Sequence, residues 1–397
     1  MSHTVTGPLV LVGFAQAFAA IETVWSLQAA GMRVTAFGRR DVPAPLAFVR
    51  GVRVHGISAP ESNASAAIAD LERLVADLRP DAFLPLDDAS LWLATHADLG
   101  GVVVIGPDEA GARLALDKSL QLPAAAEAGF RTPEWTVADS PASLQPSYWP
   151  IIVKPADAVL LEDGRLVRPT GVICANADEF DAARARLRDV RVIAQAYLHG
   201  VGEGLFGYVT PDGVQALSAH RRIRMVNPNG SAASACTSQE VPADLVEPAT
   251  EMLTRAGWRG LFMLEFLRDA AGTPWFMELN GRTWGSMALA RRRGLEYPAW
   301  AVQTQLGLPV VPAHPSNPPH LVARHLGREL AHLAFVLRGP QSTAVASWPS
   351  VWATLGTVLR IRRGDRLYNW NARQPGVFVA DTLETLGGQF RNWRRSR

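Results

Sequence analysis

The sequence predicts a mixed fold, α/β and α+β: an N-terminal open parallel α/β domain, then a larger unit of strands and helices, then a mostly helical C-terminal extension. Three observations predict it. Over residues 9–107, strand-sized apolar runs alternate with helical stretches, which is the pattern of a parallel sheet flanked by helices. Over 108–310, hairpin signals and helices are interleaved without strict alternation. The proline-rich stretch 309–319 then sets off residues 311–397, where 321–337 and 351–359 read as helices. A chain of 397 residues is too long for one ordinary domain.

Each element follows from its residues. LVLV at 9–12 is a buried strand ended by Gly13, 17–30 is a helix closed by Gly31, and 33–37 is a second strand. Residues 65–78 form an amphipathic helix stopped by Pro80; strands at 82–86 and 101–105 end in Asp87-Asp88 and Gly106-Pro107. The segment 108–129 is largely helical, as 109–116, then Asp117-Lys118, then a restart after Pro123. Thr132-Pro133 breaks it, and 141–150 is linker-like. Strands follow at 151–154, 166–175 and 190–194, with a helix at 177–187 between the last two. A hairpin spans 204–209 and 214–222, a helix occupies 245–256, and another begins at 287. Arg324, His325, Arg328 and His332 read as a solvated face, and the clusters Arg291–Arg293 and Arg362/Arg363 as solvated surface.

Basic and acidic residues nearly balance, 39 against 37, for a net charge of +2. That excludes a nucleic-acid stripe. Cys174 and Cys236 lack any Cys/His ligand spacing and read as packing residues. No secretory leader and no run of about 18 apolar residues is present, so the expectation is a soluble cytoplasmic protein without a membrane span. The first turn, GFAQAF, is not the GxGxxG of a dinucleotide site, and no acidic residue ends the second strand. The N-terminal unit is expected to lend one wall to a site.

The chemistry concentrates at 260–286, GLFMLEFLRDAAGTPWFMELNGRTWGS. Two apolar runs, 261–267 and 274–279, flank a polar turn and predict a hairpin. With the turn centred on Ala271-Gly272, Glu265 and Glu278 lie opposite each other. Like charges facing across a ladder, among Phe262, Phe266, Trp275 and Phe276, are destabilising without a cation between them. Asn280 and Arg282 continue the face of Glu278. Two carboxylates and an amide oxygen are hard ligands suited to Mg²⁺ that also holds phosphate, and an adjacent Arg suits phosphate or carboxylate. In HRRIR, His220, Arg222 and Arg224 share one face of a strand. Facing the Glu pair, Arg222 first and Arg224 second would neutralise charge in a transition state. Lys154, closing a buried strand before Pro155, needs a counter-charge.

The order of motifs over 108–310 resembles the ATP-grasp superfamily, and most the single-unit, carbamoyl-phosphate-synthase-like carboxylate–amine ligases. The matching pieces are Asp117-Lys118 followed by AxxxGFRTP, IIVKP, AQAYLHGVGEGLFGYV, HRRIRM–NPNGSAAS and GLFMLEF…WFMELNGR. The resemblance implies a two-lobed ATP-grasp domain at 108–310 behind a pre-ATP-grasp-like domain at 1–107. It implies that Lys118 reaches the nucleotide phosphates and that Lys154 contacts the α-phosphate and adenine region. Gln195, Ala196 and Leu198 belong to the linker whose backbone reads the adenine edge, and Glu203 matches the carboxylate on the ribose. Glu265, Glu278 and Asn280 match the Mg²⁺ ligands, and Arg282 the Arg near the γ-phosphate. The loop 229–234 resembles a mobile loop whose amides approach phosphate or substrate. PADAVLLEDGRL, after Lys154, departs from the Gly-rich phosphate cover of many relatives.

What the resemblance implies is ATP-dependent joining of a small-molecule or carrier-bound carboxylate to an amine through an acyl-phosphate, with ATP and Mg²⁺ (Mn²⁺ as a substitute). Two other readings are carried with it: a carboxylase-type enzyme activating bicarbonate, and a nucleotide-binding protein without turnover. His220 is the one candidate base, with a structural role the plainer reading. Residues 311–397 would cover the site, make a homodimer contact or dock a partner.

Overall fold

The computed structural model describes residues 7–230, 232–310, 320–340, 342–345, 347–360 and 362–395, with side chains as far as 388. Most of the expected boundary at 309–319 therefore lies outside the described residues, as do Ser231 and the ends of the chain.

The first sheet comprises β1 (Leu9–Gly13), β2 (Arg33–Arg39), β3 (Arg53–Ile57), β4 (Ala82–Pro85) and β5 (Val103–Val104), all parallel, in the order β3-β2-β1-β4-β5. Helices α1 (Ala20–Ala29), α2 (Ala64–Leu78) and α3 (Asp88–His96) connect it. β3 and α3 go beyond the sequence reading. RVHGI in β3 is too polar for a buried-strand pattern, and α3 starts directly at the acidic pair ending β4. Asp87 caps it by accepting from the Ser90 N–H at 2.8 Å, while the Ser90 hydroxyl accepts from the Asp87 N–H at 3.0 Å. Strand order reverses between β1 and β4, so residues 14–18 and 86–88 bound the crevice where open α/β sheets hold ligands.

Next come α4 (Glu109–Leu116) and α5 (Lys118–Glu127). The helix does not wait for Pro123 to restart. Asp117 caps it by accepting from the Ser119 N–H at 2.9 Å, and it runs through Pro123 to Glu127. The second sheet is antiparallel, order β10-β7-β11-β6, built from β6 (Trp135–Ala138), β7 (Ile151–Pro155), β10 (Val172–Cys174) and β11 (Val192–Ala196). Helix α6 (Ala177–Arg186) covers one face through Phe180 and Ala183 against Val153, Cys174 and Val192. The strand expected at 166–175 is two strands divided around Pro169, which has no N–H to donate. Its first half is β9 (Arg165–Val167), paired with β8 (Leu160–Glu162) in a separate hairpin. That hairpin docks on the N-terminal unit. Gly164 O accepts from the Ala64 N–H at 2.8 Å, the Leu166 N–H donates to Pro60 O at 2.8 Å, and Leu166 is buried with Leu71 and Phe83.

The third sheet has seven strands, order β16-β15-β12-β13-β14-β17-β18. They are β12 (Val201–Thr210), β13 (Gly213–Met225), β14 (Ala233–Gln239), β15 (Gly260–Arg268), β16 (Pro274–Asn280), β17 (Val322–Arg324) and β18 (Arg366–Leu367). All neighbours are antiparallel except β17 and β18. One face, with Leu205, Phe262, Leu264 and Phe266, packs on α4, α5 and α7 (Ala243–Arg255). The other, with Phe206, Tyr208, Leu261 and Met263, shares a core with α1, α8 (Met287–Arg292) and α9 (Tyr297–Gln305). The first and third sheets are thus joined by one apolar core.

The C-terminal residues add α10 (Leu326–Arg338), α11 (Val351–Leu359) and α12 (Pro375–Arg395) to the two edge strands. The helix expected at 321–337 begins as strand β17, and His325 caps α10. The solvated face expected there is mostly buried: Arg324, His325 and His332 are inside. Arg324 pairs with Glu329 at 2.6 Å and Asp365 at 3.2 Å, and His325 Nε2 with Asp381 at 2.7 Å. Arg291 and Arg292 are likewise not solvated surface, since both pair with buried Glu22, at 2.6 and 3.2 Å. Cys174 and Cys236 are free and buried, as packing residues should be. No helix among the described residues is long and apolar enough to cross a membrane.

Candidate active site

The hairpin β15–β16 places Glu265 opposite Glu278, as its sequence predicts, but by a different route. The ladder leaves the turn pairing Leu267 with Trp275 and Phe266 with Phe276. One extra residue, Met277, then brings Glu278 rather than its neighbour opposite Glu265. The turn is set by Asp269, whose carboxylate accepts from the Ala271 N–H, the Thr273 N–H and Trp275 Nε1 at 3.0, 2.8 and 2.9 Å. Both Glu residues are half-buried, and each has a cation beside it. Arg222 pairs with Glu265, and Lys118 Nζ lies 3.6 Å from Glu278. Arg222 reaches Glu265 by lying across Gly202 of β12, where a Cβ would meet its Cδ at 2.6 Å. Asn280 is buried, on the same side of β16 as Glu278 by the strand's period.

Two elements bring lysines to this pair. Lys118 opens α5, its N–H bonded to Ala156 O at 2.8 Å, while Arg191 ties Asp117 (2.7 Å) to Asp157 (2.9 Å) beneath it. Gln121, one turn on and buried, clasps β16: its Nε2 donates to Leu279 O at 3.0 Å and its Oε1 accepts from the Leu279 N–H at 2.8 Å. The helix of Lys118 is thereby locked to the strand of Glu278. Lys154 is the fourth residue of β7, opposite Ile193. Burial, with the nearby Lys118 charge, pushes its ammonium down to about 8 against the pull of Glu278 and Glu265.

Gln195 closes the second sheet on the same face as Lys154, since it pairs with Ile152, two residues away. It lies within β11 rather than in a linker and is fully buried, yet neither its amide oxygen nor its nitrogen has a partner among the described residues. Ala196 is the last residue of β11, and Leu198 follows the strand.

The N-terminal unit contributes a residue that sequence reasoning missed. Asp88, buried at the start of α3, accepts from Arg282 Nε at 2.9 Å and from Arg168 at 2.5 Å. Burial works against its charge, but the two guanidiniums override it and bring its pKa down to about 2. Burial likewise opposes the charge on Arg282, and Asp88, Glu278 and Glu265 more than restore it. The acidic Asp87-Asp88 ending of β4 was the available signal, but the partner lies 194 residues away.

Two expected residues lie elsewhere, and a third, His220, pairs with Gly204 and so shares the face of Glu265. Arg224 turns to Glu329 of α10, which also pairs with Arg324 and accepts from the Ser234 hydroxyl at 3.0 Å. Glu203 is not a loop residue. It is buried in β12 one step out of phase with Gly204, the partner of Glu265, and so lies on the opposite face, paired with Arg268 at 2.8 Å. His220 is buried against the Phe206 ring, 4.7 Å between centroids. Burial and the Arg222 charge drive its pKa down to about 3, so it is a neutral imidazole at neutral pH and a very weak base.

Among the described residues, no cluster of three or more His, Cys, Asp or Glu forms a self-sufficient metal site. What the fold assembles is two facing carboxylates and an amide, surrounded by Lys118, Lys154, Arg222 and Arg282. That donor set holds a hard cation only if phosphate oxygens complete its shell. The excess of cations suits a polyphosphate, and the orphaned Gln195 amide suits a planar donor–acceptor group such as a nucleobase edge.

No protein-family model and no curated protein sequence matches the chain. Solved structures do. The L-amino acid ligase of Bacillus licheniformis is 16% identical, covering 76% of this chain and 74% of its own, with a TM-score of 0.58. The N5-carboxyaminoimidazole synthetase of Staphylococcus aureus, complexed with ADP, is 13% identical over 77% of this chain and 78% of its own, with a TM-score of 0.56. The biotin carboxylase domain of the Hydrogenobacter thermophilus 2-oxoglutarate carboxylase, with MgADP and bicarbonate, is 14% identical over 79% and 73%, with a TM-score of 0.58. The chain therefore has the ATP-grasp fold.

Proposed function

We propose that the protein is an ATP-dependent carboxylate–amine ligase working through an acyl-phosphate. The observation that carries this reading is the gathering of Glu265, Glu278, Asn280, Lys118, Lys154, Arg222 and Arg282 at one place on that fold. Similar folds occur in a ligase that acts on L-amino acids and in enzymes solved with ADP or MgADP.

In this reading Gln195 and the backbone through Leu198 take the adenine, while Lys154 and Lys118 take the phosphates. Glu265, Glu278 and Asn280 would hold Mg²⁺, which when bound neutralises and aligns phosphate oxygens. A carboxylate oxygen of the acid attacks the γ-phosphorus and ADP leaves. The amine nitrogen then attacks the acyl carbon, phosphate leaves with the C–O electron pair, and the amine proton passes to solvent. Arg282, held rigid by Asp88, steadies the transferring phosphoryl group, and Arg222 the charge on the acid. With His220 neutral and weakly basic, charge placement carries the reaction rather than general-base chemistry.

The test is ADP release with MgATP and hydroxylamine over a panel of carboxylates that includes bicarbonate. An acid-dependent hydroxamate in the wild type, reduced at least about 100-fold in Glu278→Gln, supports the reading. ADP release with bicarbonate alone would favour carboxylation, and nucleotide binding without turnover would favour a non-catalytic role.

A further inference from the structure

A cavity of about 240 Å³ lies at the C-terminal end of β1, between the N-terminal unit and the C-terminal helices. Phe18, Ile21 and Pro45 give it apolar walls, Arg328 of α10 projects into it, and Asp381 and Glu384 of α12 line it too. Arg328 lies over the Phe18 ring, 3.2 Å from the centroid, and Nη1 donates to Ala233 O at 3.1 Å. Among the described residues it has no carboxylate within ion-pairing distance, and its other side-chain N–H groups meet no protein acceptor. Asp381 is already engaged by His325 and by Asn369 at 2.8 Å. Arg328 thus differs from its neighbours Arg222, Arg224, Arg282 and Arg324, each of which has a carboxylate partner.

Arg328 is half-buried, and a guanidinium partly withdrawn from water without an anion is costly; the cost has a use where a ligand brings the anion. The cavity lies on the side of the reaction centre where the Arg328 guanidinium feels the charge of Arg222. Gly285, three residues past Arg282, packs closely against both walls: a Cβ there would stand 3.0 Å from Phe18 and 3.6 Å from Arg328 Nη1. A ligase needs a second substrate that carries an amine. An amine with no anion would meet only repulsion from Arg328, whereas a zwitterion brings the carboxylate that pairs with it.

We propose that this cavity is the acceptor subsite and that the acceptor is an amino acid whose own carboxylate sits on Arg328, with its side chain against Phe18, Ile21 and Pro45. The assignment rests on the ligase reading for the word acceptor, but not for the binding itself.

The test is calorimetric titration of the full chain, with MgADP present, by L-alanine, L-leucine and L-phenylalanine, each paired with its primary amide. The pairs differ only in the anion. At least one amino acid binds about 30-fold more tightly than its amide, as a charge-assisted bidentate contact requires. In Arg328→Met the ratio falls to near one, and in Arg328→Lys it recovers in part. Because the readout is a ratio within each variant, a general loss of folded protein does not mimic it. No discrimination in the wild type, or discrimination that survives in Arg328→Met, overturns the proposal. The hydroxylamine assay reports separately on the ligase reading. Hydroxamate without discrimination removes the subsite alone, and discrimination without hydroxamate removes the ligase reading alone.

Discussion

Asp88 shows how one residue acquires a role that its neighbours in sequence do not announce. Its carboxylate joins Arg282 and Arg168, and its pKa falls from the ordinary 3.8 to about 2. A group whose folded pKa is depressed stabilises fully above its unfolded pKa and loses that contribution as pH falls through the folded one. Asp88 therefore contributes about 2 kcal/mol that disappears between roughly pH 4 and pH 2. Asp88→Asn should lower the denaturation midpoint at pH 7 and flatten the stability profile across that acid window, as urea unfolding at a series of pH values would measure. Lys154, Glu265 and Glu278 were legible in the sequence because each is a charged group in an apolar run that makes no sense unpartnered; Asn280 and Arg282 followed from the period-2 face of Glu278, and Lys118 from the motif resemblance alone. Arg224 and Glu203 were not. Period 2 says which residues share a face, not what stands in front of that face, and Arg224 found Glu329 while Glu203 found Arg268.

At the scale of elements, the β8–β9 hairpin occupies the stretch where the sequence departs from a glycine-rich cover. Its anchor is Leu166, 1% exposed in the core of the N-terminal unit. Leu166→Ala should cost about 2–5 kcal/mol of local stability. Limited proteolysis would show this as faster cleavage within 160–167 than elsewhere, with the rest of the chain intact. Because Arg168 lies just past β9, a released hairpin should also loosen Asp88 and weaken nucleotide binding. The central hairpin was readable because its alternation, turn and charges agreed, although the bulge at Met277 was not. The strand at 166–175 was misread because Pro169 divides two pairings that look like one apolar run. Helix α5 was misread because the Asp117 cap outweighs a proline further in.

Over the whole molecule, Glu22 fastens three parts of the chain that are distant in sequence. It sits in α1, 2% exposed, pairs with Arg291 and Arg292 of α8, and accepts from the Asn369 N–H at 3.1 Å. Removing one member of a buried ionic group leaves charges uncompensated, so Glu22→Gln should cost about 3–5 kcal/mol in chemical denaturation. If the parts unfold together, one transition with an unchanged slope is expected; a separate early transition would show that the C-terminal helices come away first. The layered architecture was legible because strand–helix alternation and mixed hairpins are local patterns. The sharing of cores was not: Arg291, Arg324 and His325 look like solvent-facing charges until their acids arrive from elsewhere in the chain.

The ion pairs at the facing carboxylates carry a consequence for the order of events. With Arg222 on Glu265 and Lys118 near Glu278, the protein supplies its own counter-ions to the carboxylates, and a bare divalent ion would have to compete with side chains that are already in place. A polyphosphate removes that competition by drawing the same cations toward itself and freeing the carboxylates. In the proposed ligase, metal and nucleotide would then be mutually dependent passengers, each raising the other's affinity by the same factor.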